Sequence, residues 1–529
     1  MQLFLVSLIP YLIFTIYKTK KNFQMLQQNY YDLDCRYFKW ILSNISKIAF
    51  ESDLLFVLLT CTIFFEIGIT IGVFIILYGI IFMIYRKKDK VVDKKPLVVT
   101  ARIKRLSFTL ILLYLIMIIP VVINFDYDKL IYNYLILGLA TYLNAFVVML
   151  ANVINKPVEH MVYLHYLFKA KRKLKNYNIP VVGITGSYGK TSSKNIINTI
   201  LNVKLNSVAT PKSFNTPYGL INSINNYLDK FSDIFIAEMG AFKKGDIKQN
   251  CKIVNPKYGI ITKIGEAHLE SFGSQENIMN TKFELVESLP SDGLAILNGD
   301  DEYQLKYKIK NNCKVKWIGI DNKDVDLRAT NIRLSSSGTT FDCIFKGDNN
   351  KYTFTTKLLG KHNVYNILDG ILLGNELGLT KEELKSGVKS IKPIEHRLEL
   401  KKYGNINIID DAYNSNPVGS KAALEVLGLM DGVRIVVTPG MIELGDKQYE
   451  LNKKFGEYMS EVSDYVILIG KKQTKPIYEG LIEKEFSDKK IFILNDVREA
   501  FPLMNRLASK ENKETYVLLE NDLPDLFNE

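Results

Sequence analysis

A glycine-rich stretch near residue 185 carries the residue types that bind a polyphosphate. Residues 181–192 begin with β-branched apolar side chains and end in Gly189, Lys190, Thr191 and Ser192. Glycines let backbone N–H groups approach phosphate oxygens, and the dipole of a following helix adds positive potential. Lys190 can neutralise the terminal phosphates, and the Thr191 hydroxyl can hold a magnesium ion. The sequence therefore predicts a phosphate-binding loop between a strand and a helix, although the early glycine of the usual pattern is displaced by one position.

Two further segments place polar side chains where predicted strands end. Residues 235–237 predict a buried strand that ends at Glu238, and residues 258–262 predict another that runs on to His268. Ligands gather at the carboxyl ends of parallel strands, and a carboxylate there suits magnesium. A single histidine in this position would by default be a structural residue, so His268 depends on its neighbours for a functional role.

The elements that must position these residues alternate along the chain. From residue 180 onward, short β-branched runs alternate with helix-like runs, a pattern typical of a parallel sheet with crossover helices. The five cysteines, at positions 35, 61, 251, 313 and 343, show no paired spacing. We therefore expect a reduced, cytosolic α/β catalytic part.

The first third of the chain differs from the rest in composition. Hydrophobic residues make up 47% of the 529 residues, and long apolar runs concentrate before residue 155. The formal net charge is +12, and many basic residues flank those runs. This distribution indicates topology and membrane-surface charge. No zinc spacing or aromatic–basic interleaving indicates nucleic acid, so a nucleic-acid partner is not expected.

Residues 1–154 are predicted to form a multi-span, α-helical transmembrane region. Its apolar stretches are 1–17, 54–85, 107–123 and 132–154. The basic loops on either side of 54–85 should both be cytoplasmic, so that stretch must cross twice, with a bend near Glu66. Five spans result, and the chain enters the cytoplasm after residue 154. A single tilted span across 54–85 would give four. The predicted location is the cell membrane, with the catalytic domains in the cytoplasm.

Residues 155–179 connect this region to the α/β part. Apolar residues recur there at helical spacing beside a cluster of basic residues between Lys169 and Lys175. This pattern fits a basic amphipathic helix on the membrane surface, and it fits a packed linker helix equally well. His160 and His165 lie in this segment without ligand partners nearby in sequence, and we interpret both as structural.

From about residue 180, the chain resembles the Mur ligase family, the ATP-dependent enzymes that form amide bonds in cell-wall peptide assembly. The family's phosphate loop, including its displaced glycine, is matched by Thr185, Gly186, Ser187, Tyr188, Gly189, Lys190, Thr191 and Ser192. Later matches, in order, are residues 213–216, 238–241, 265–270, 297–301, 360–366, 397–399 and 410–417. Residues 272–284 and the Met-x-Glu-Leu-Gly core at 441–445 are most similar to the branch that adds D-alanyl-D-alanine.

The resemblance implies a role for each matching residue. Catalytic roles would fall to Lys190, Lys282 and His268. Thr191, Glu238 and His268 would bind magnesium, and Lys282 stands where the family carries a carbamylated lysine that helps to place a second ion. Beyond the phosphate loop, the nucleotide would contact Asn363, Arg397 and Asp410. The substrate-binding residues would be Ser213, Asn215, Thr216, Tyr413, Asn414 and Asn416.

The resemblance also implies the fold and the reaction. We expect a P-loop parallel-sheet ATPase domain over residues 180–392 and a smaller Rossmann-like α/β domain over 393–529. Such a ligase phosphorylates a carboxylate with ATP, assisted by two Mg²⁺ ions, and an amine attacks the acyl phosphate. The expected reaction joins D-alanyl-D-alanine to a muramoyl tripeptide, a cell-wall precursor.

Two departures from the family keep alternatives open. Membrane spans stand where soluble members grip a UDP-linked substrate, so the acceptor could be lipid-linked or a polyamino acid. The last predicted strand ends in residues 520–524 without the Lys-Gly-Ser-Arg type of ending that lies near the incoming amine, so the amine also stays open. A function of another class, a transporter or membrane scaffold with a cytoplasmic P-loop ATPase, is the third hypothesis.

Overall fold

The computed structural model describes most of the chain and divides it into two compact units. One unit ends at Leu164 and the next begins at His165. We call them the N-terminal unit and the catalytic unit. The described residues are 2–29, 31, 37–45, 72, 76–84, 96–123, 126, 130–265, 269–335, 337–348, 350–404, 406–412, 416–442, 444–511 and 513–521.

The described part of the N-terminal unit is helical. Its helices include α1 (Gln2–Gln28), α2 (Phe38–Ser43), α3 (Ala101–Ile123), α4 (Leu130–Tyr142) and the start of α5 (Asn144–Tyr177), and residues 76–84 are also helical. Helix α1 extends well beyond the predicted end of the first apolar stretch at residue 17. Helix α5 continues without a break from the last predicted span through the predicted linker.

Buried polar pairs fix the direction of α1 relative to α4 and α5. The hydroxyls of Ser7 and Tyr134 lie 2.9 Å apart, and Asn22 Nδ2 donates to Asn144 Oδ1 at 2.6 Å. The partners advance together along both segments. Helix α1 therefore runs in the same direction as α4 and α5.

Helix α3 runs in the opposite direction. Asn144 Nδ2 donates to the hydroxyl of Tyr114 at 2.9 Å, whereas Arg105, nearer the start of α3, donates to Glu159, farther along α5. The bidentate contact of Arg105 with Glu159 has distances of 2.7 and 2.8 Å. Residue numbers fall along α3 as they rise along α5, so the two helices are antiparallel.

Among the described residues, one helix is long and apolar enough to cross a membrane. That helix is α3. Helices α4 and α5 meet at a bend of 72° and would supply a second candidate if they form one broken span. Most of the predicted double span at 54–85 lies outside the described residues. The count of four or five spans therefore stays a prediction.

The catalytic unit contains a nine-stranded sheet. Its order is β2-β3-β1-β4-β5-β6-β7-β8-β9, parallel from β2 to β7 and antiparallel from β7 to β9. The strands are β1 (Val181–Thr185), β2 (Ser207–Ala209), β3 (Ile234–Glu238), β4 (Tyr258–Ile261), β5 (Leu294–Asn298), β6 (Lys314–Gly319), β7 (Leu327–Ser335), β8 (Gly338–Phe345) and β9 (Tyr352–Thr356).

Helices cover this sheet and create its core. They are α6 (Lys190–Leu201), α7 (Pro217–Tyr227), α8 (Asp246–Val254), α9 (Leu269–Phe272), α10 (Gln275–Phe283), α11 (Glu302–Lys306), α12 (Lys361–Glu376) and α13 (Lys381–Lys389). Strands β1, β3 and β5 are buried at every position, which explains their unbroken apolar runs. Ile184, Ile197 and Ile371 from β1, α6 and α12 belong to one buried cluster, so α6 is packed firmly behind the phosphate loop.

A six-stranded sheet follows, in the order β10-β11-β15-β12-β13-β14, with β10 antiparallel at its edge. The two parallel-dominated sheets confirm the predicted α/β class. The strands are β10 (Glu399–Tyr403), β11 (Ile406–Asp411), β12 (Val433–Thr438), β13 (Tyr465–Ile469), β14 (Ile491–Leu494) and β15 (Thr515–Glu520). The helices are α14 (Pro417–Gly428), α15 (Gln448–Val462), α16 (Lys475–Glu483) and α17 (Ala500–Glu511).

Candidate active site

Two glycines allow the phosphate loop its conformation. Gly189, directly before α6, has a φ of 80°, and an added Cβ there would lie 2.9 Å from Asn366 Oδ1. A Cβ on Gly186 would lie 2.0 Å from Thr262 Oγ1. Side chains at either position would clash with the neighbouring elements. The loop therefore presents bare backbone at the N-terminus of α6.

Residues just beyond β4 support the loop from beneath. Thr262 Oγ1 lies 2.5 Å from the carbonyl oxygen of Tyr188 and 3.2 Å from that of Thr185. The backbone N–H of Ser187 donates to the carbonyl of Lys263 at 2.7 Å. The sequence analysis did not identify Thr262, because a threonine at a strand end carries no signal by itself.

The Lys190 ammonium folds back over this loop. Its Nζ donates to the carbonyl oxygens of Gly186 at 2.7 Å and Ser187 at 3.0 Å. Burial lowers the pKa of Lys190 to about 8, the charge of Glu238 opposes that shift, and the charge of Arg397 adds to it. A polyphosphate would offer this ammonium stronger acceptors than the loop carbonyls do.

Glu238 lies at the end of β3 and is almost completely buried, with 1% of its surface exposed. Its Oε1 accepts hydrogen bonds from Thr191 Oγ1 at 3.0 Å and from Asn215 Nδ2 at 3.2 Å. Its Oε2 lies 3.1 Å from Lys194 Nζ. The structure thus brings together three of the predicted site residues, Thr191, Asn215 and Glu238, around one carboxylate.

The spacing of Thr191 and Glu238 suits a magnesium ion. Neighbouring ligands of an octahedral Mg²⁺ stand about 3 Å apart, because the metal–oxygen bonds are 2.0–2.1 Å long. The 3.0 Å between Thr191 Oγ1 and Glu238 Oε1 matches that separation. In the part of the chain that the structure describes, no group of three or more His, Cys, Asp or Glu forms a metal cluster. Substrate phosphates and water would have to complete the coordination, and His268 lies outside the described residues.

Lys282 is buried near the end of α10, with 2% exposure. Burial, followed by the charge of Lys190, lowers the pKa of Lys282 to about 7. Its Nζ lies 5.7 Å from the centre of the Phe272 ring. A lysine with this pKa is largely a neutral amine at pH 8, and the neutral amine is the form that reacts with CO₂. The environment therefore fits a carbamylated side chain.

A cavity of about 520 Å³ joins the phosphate loop to the six-stranded sheet. Predicted residues that line it are Tyr188, Gly189, Ser192, Asn363, Arg397 and Asn416. Asn416, expected to bind substrate, lines this cavity, and its side chain also caps α14. Burial lowers the pKa of His362 to about 4 here, assisted by the charge of Arg397, so His362 is neutral at physiological pH.

Asp410 is held by its own domain. Its Oδ2 lies 2.7 Å from Lys401 Nζ and 2.8 Å from His396 Nδ1. Burial opposes ionisation of this carboxyl, but these two partners outweigh it and lower the pKa of Asp410. The following residue, Asp411, lines the cavity. The predicted nucleotide contact of Asp410 would require these internal contacts to rearrange.

The remaining predicted substrate residues are spread out. Ser213, together with Thr191 and Arg397, lines a second cavity of about 680 Å³. The Thr216 hydroxyl caps α7 by accepting from the N–H of Gly219 at 3.2 Å. Tyr413 and Asn414 lie outside the described residues.

Asp300 is a site residue whose role the sequence did not specify. Its carboxylate accepts from the N–H groups of Ile320 and Asn322, both at 2.6 Å, and from the Tyr365 hydroxyl at 2.9 Å. Burial opposes ionisation of Asp300, but these hydrogen bonds lower its pKa overall. Both Asp300 and Tyr365 line the 520 Å³ cavity. The sequence signal that could have identified Asp300 as a site residue was the pair of aspartates, Asp300 and Asp301, that follows β5.

A phosphate loop, a strand-end carboxylate and a cavity shared with a second α/β sheet define a P-loop nucleotide-binding protein of two catalytic domains. Domain-family comparison agrees with this class. The Mur ligase middle domain matches residues 184–374, and the Mur ligase, glutamate ligase domain matches residues 396–519. The chain belongs to the Mur ligase family.

The chain is also similar to individual proteins whose names place them in this family. The UDP-N-acetylmuramoyl-tripeptide–D-alanyl-D-alanine ligase of Bacillus subtilis (strain 168) is 32% identical over 346 residues, 64% of this chain and 73% of that protein. The ligase of the same name from Escherichia coli (strain K12) is 29% identical over 316 residues, 59% and 69% of the two chains. The Thermotoga maritima MurF ligase in complex with ADP superposes with a TM-score of 0.61 at 26% identity, covering 69% of this chain and 81% of that one.

Proposed function

We propose that this chain is an ATP-dependent peptide ligase that joins D-alanyl-D-alanine to the tripeptide carboxylate of a muramoyl precursor, releasing ADP and phosphate. The observation that carries the proposal is the arrangement of Lys190, Thr191 and Glu238 with the buried amine of Lys282 beside a cavity lined by both catalytic domains. The names of the Bacillus subtilis and Escherichia coli relatives support the same substrates.

In the first step, a carboxylate oxygen of the acceptor forms a bond to the γ-phosphorus of ATP, and the bond from that phosphorus to the ADP oxygen breaks. Lys190 leaves the loop carbonyls for the phosphate oxygens and offsets the charge that develops during transfer. Asn363 and Arg397, which line the same cavity, would contact the nucleotide. The products are ADP and an acyl phosphate.

In the second step, the amine of the incoming dipeptide attacks the acyl carbon. The amide bond forms, phosphate leaves with the electrons of the C–O bond, and the ammonium proton passes to solvent. Because water would otherwise hydrolyse the acyl phosphate, closure of the C-terminal domain over the cavity would protect the intermediate. In that closed form Asp410 would exchange Lys401 and His396 for the nucleotide.

Thr191 and Glu238 would hold a Mg²⁺ ion, with His268 completing or orienting the site, and a carbamate on Lys282 would help to place a second. The metal would supply positive charge at the transferring phosphoryl group. We expect His268→Ala to raise the magnesium concentration needed for half-maximal rate. An unchanged magnesium requirement would remove His268 from the assignment.

The test is phosphate release by the full-length protein in detergent with ATP, magnesium and UDP-muramoyl tripeptide, with and without D-alanyl-D-alanine. Release that needs both substrates, with a product of the mass of the joined peptide, is the expected result. ATP turnover that needs neither carboxylate nor amine would instead support the transporter or scaffold with a P-loop ATPase.

We further propose that the N-terminal unit is embedded in a membrane, with its lipids as partners. Many large apolar side chains are exposed on its helices, including Ile16 at 69%, Phe108 at 64%, Ile116 at 67% and Ile123 at 75%. A soluble surface rarely carries so many on adjacent helices. Because α1 and α3 run in opposite directions, the basic residues at the end of α1 and at the start of α3 fall on the same side of these helices, which supports the five-span, multi-pass topology with cytoplasmic catalytic domains.

A lipid-linked or polyamino-acid acceptor is the second candidate. The observation in its favour is the exposed apolar surface of the helices in the N-terminal unit, which suits a lipid environment. Replacing the soluble precursor by a detergent-solubilised lipid-linked one in the same assay separates the candidates. Turnover with the lipid-linked acceptor alone would favour the second.

A further inference from the structure

Lys194 joins three elements of the catalytic unit. It lies one helical turn after Lys190 on α6 and is 1% exposed. Its Nζ lies 3.1 Å from Glu238 Oε2, and it also donates a hydrogen bond to the carbonyl oxygen of Lys212. An ammonium buried this deeply has to be paired, because an isolated buried charge is very costly. Both of its partners belong to segments that the proposed function uses.

The two oxygens of Glu238 face different groups. Oε1 is 3.0 Å from Thr191 Oγ1, the separation of neighbouring magnesium ligands, whereas Oε2 is the oxygen beside Lys194. If Oε2 is fixed, the rotation of the carboxylate is fixed, and Oε1 is presented beside the Thr191 hydroxyl. The hydrogen bond from Asn215 Nδ2 to Oε1 supports the same orientation at 3.2 Å.

The segment 210–216, which we call the acceptor loop, is attached to the same carboxylate. Thr210 Oγ1 accepts from the N–H of Glu238 at 3.2 Å, and the carbonyl of Asn215 accepts from the N–H of Gly240 at 2.8 Å. Lys212 has a left-handed φ of 47°. A non-glycine residue in that region is held there by its surroundings, and the bond from Lys194 to the Lys212 carbonyl is such a restraint.

We propose that Lys194 is a positioning residue that fixes the rotation of Glu238 for metal binding and ties the acceptor loop to it. The proposal rests on the proposed function for the Mg²⁺ site and for the identity of the acceptor. Groups that orient metal ligands from behind typically change metal affinity by about 10–100-fold when they are removed.

Electrostatics alone predicts the opposite effect. Removing a cation beside Glu238 would strengthen the attraction of that carboxylate for Mg²⁺. Loss of orientation would weaken Mg²⁺ binding instead. The sign of the change therefore separates a positioning residue from a charge that merely neutralises a buried acid.

The experiment measures ADP binding to the full-length protein by calorimetry, with Mg²⁺ and with a metal chelator. The ratio of the two Kd values isolates the contribution of the metal. We expect Lys194→Met to reduce the increase in ADP affinity that Mg²⁺ confers, which we call the Mg²⁺ gain, by about tenfold. An unchanged or larger gain would overturn the proposal. The matched control is Lys204→Met, which removes an ion pair 3.6 Å long between Lys204 and Glu383 from a half-exposed site. It should leave the ratio unchanged.

A second variant covers the case in which Lys194→Met does not fold. Lys194→Gln keeps a donor that can reach one partner but carries no charge, and it should reduce the Mg²⁺ gain in the same direction. Hydrogen exchange should also speed up in the acceptor loop of either variant and stay unchanged in β13. Loop exchange equal to that of the parent protein would contradict the link between the loop and Glu238.

The assay distinguishes failure of this proposal from failure of the proposed function. ADP binding requires neither acceptor nor amine, so an error in the substrate assignment leaves the measured ratio meaningful. If the protein proves to be a ligase for the muramoyl tripeptide, Lys194→Met should also raise the KM of that acceptor several-fold. A raised KM with an unchanged Mg²⁺ gain would reject the metal role.

Discussion

The N-terminal and catalytic units both bury polar side chains, but they do so in different ways. In the N-terminal unit the described groups are mostly neutral, and they bond in complementary sets such as Thr15 with Thr141 and Asn22 with Asn144. In the catalytic unit, three lysines lie close together: Lys194 pairs with Glu238, the charge of Glu238 acts on Lys190, and the charge of Lys190 acts on the buried Lys282.

The difference indicates what each arrangement is for. Neutral, mutually satisfied pairs stabilise one packing of helices at modest cost. A cluster of desolvated lysines costs stability, and the pKa values of all three are lowered. Such a cost is retained where ligands supply the missing negative charge. We therefore expect substitutions near the phosphate loop of the catalytic unit to change turnover. Substitutions at the buried polar pairs of the N-terminal unit should change stability instead.

The largest effect should follow Lys190→Ala. Loss of the ammonium removes the charge that offsets the transferring phosphoryl group, so we expect kcat to fall by about 10³-fold. Phosphate release measures the change. Thermal unfolding close to that of the parent protein would show that the site alone was altered, and near-normal turnover would reject the site assignment.

Lys282→Ala should reduce kcat by about 10²-fold, if a carbamate on this lysine helps to place the second ion. Because its pKa is lowered to about 7, the amine becomes protonated as the pH falls through 7, and the carbamate is lost. The rate of the parent protein should therefore fall between pH 8 and pH 6.

Removal of dissolved CO₂ provides the control for Lys282. Exhaustive exchange into CO₂-free buffer should lower the rate, and added bicarbonate should restore it. Lys282→Ala should respond to neither treatment. A parent protein indifferent to bicarbonate would show that this lysine acts without a carbamate.

Asn363→Ala should produce a smaller effect, which is confined to the binding of the nucleotide. Its side chain lines the cavity and donates to the carbonyl of Leu359 at 2.8 Å. We expect the KM for ATP to rise about tenfold with kcat within twofold, the result of removing binding that is uniform between ground and transition states. A selective loss of kcat would move Asn363 from nucleotide binding to the chemical step.

Asn144→Ala tests the other side of the comparison. It removes hydrogen bonds to Asn22, Thr19 and Tyr114 and leaves buried partners unsatisfied. We expect the N-terminal unit to lose about 1–2 kcal/mol of stability, measured as faster hydrogen exchange in α1, with kcat unchanged. A large loss of turnover would show that these buried polar pairs take part in function.

The phosphate loop could be predicted because its chemistry demands particular residue types at fixed spacing. Gly189, Lys190 and Thr191 are informative together, and Glu238 followed from its place at a strand end. Lys194 could not be predicted, because a lysine on a helix is usually solvated. Its burial depends on Glu238 and Lys212, which are distant in sequence.

The extent of α1 illustrates a second limit. The apolar stretch ends at residue 17, where Lys18 begins a basic run, yet the helix continues to Gln28. Thr19 and Asn22 find their partner in Asn144, more than 120 residues later. Hydropathy averages over all faces of a helix, so it cannot show that one face is matched to a distant segment.

The cluster of cations around Glu238 has a kinetic consequence. The charge of Arg397 adds to the effect of burial in lowering the pKa of both Lys190 and Lys194, so the ligand-free site is under mutual repulsion. A polyanion relieves this repulsion, and ATP supplies such a charge at the phosphate loop. The on-rate of ATP should therefore fall as ionic strength rises, and inorganic phosphate in a buffer should act as a competitor.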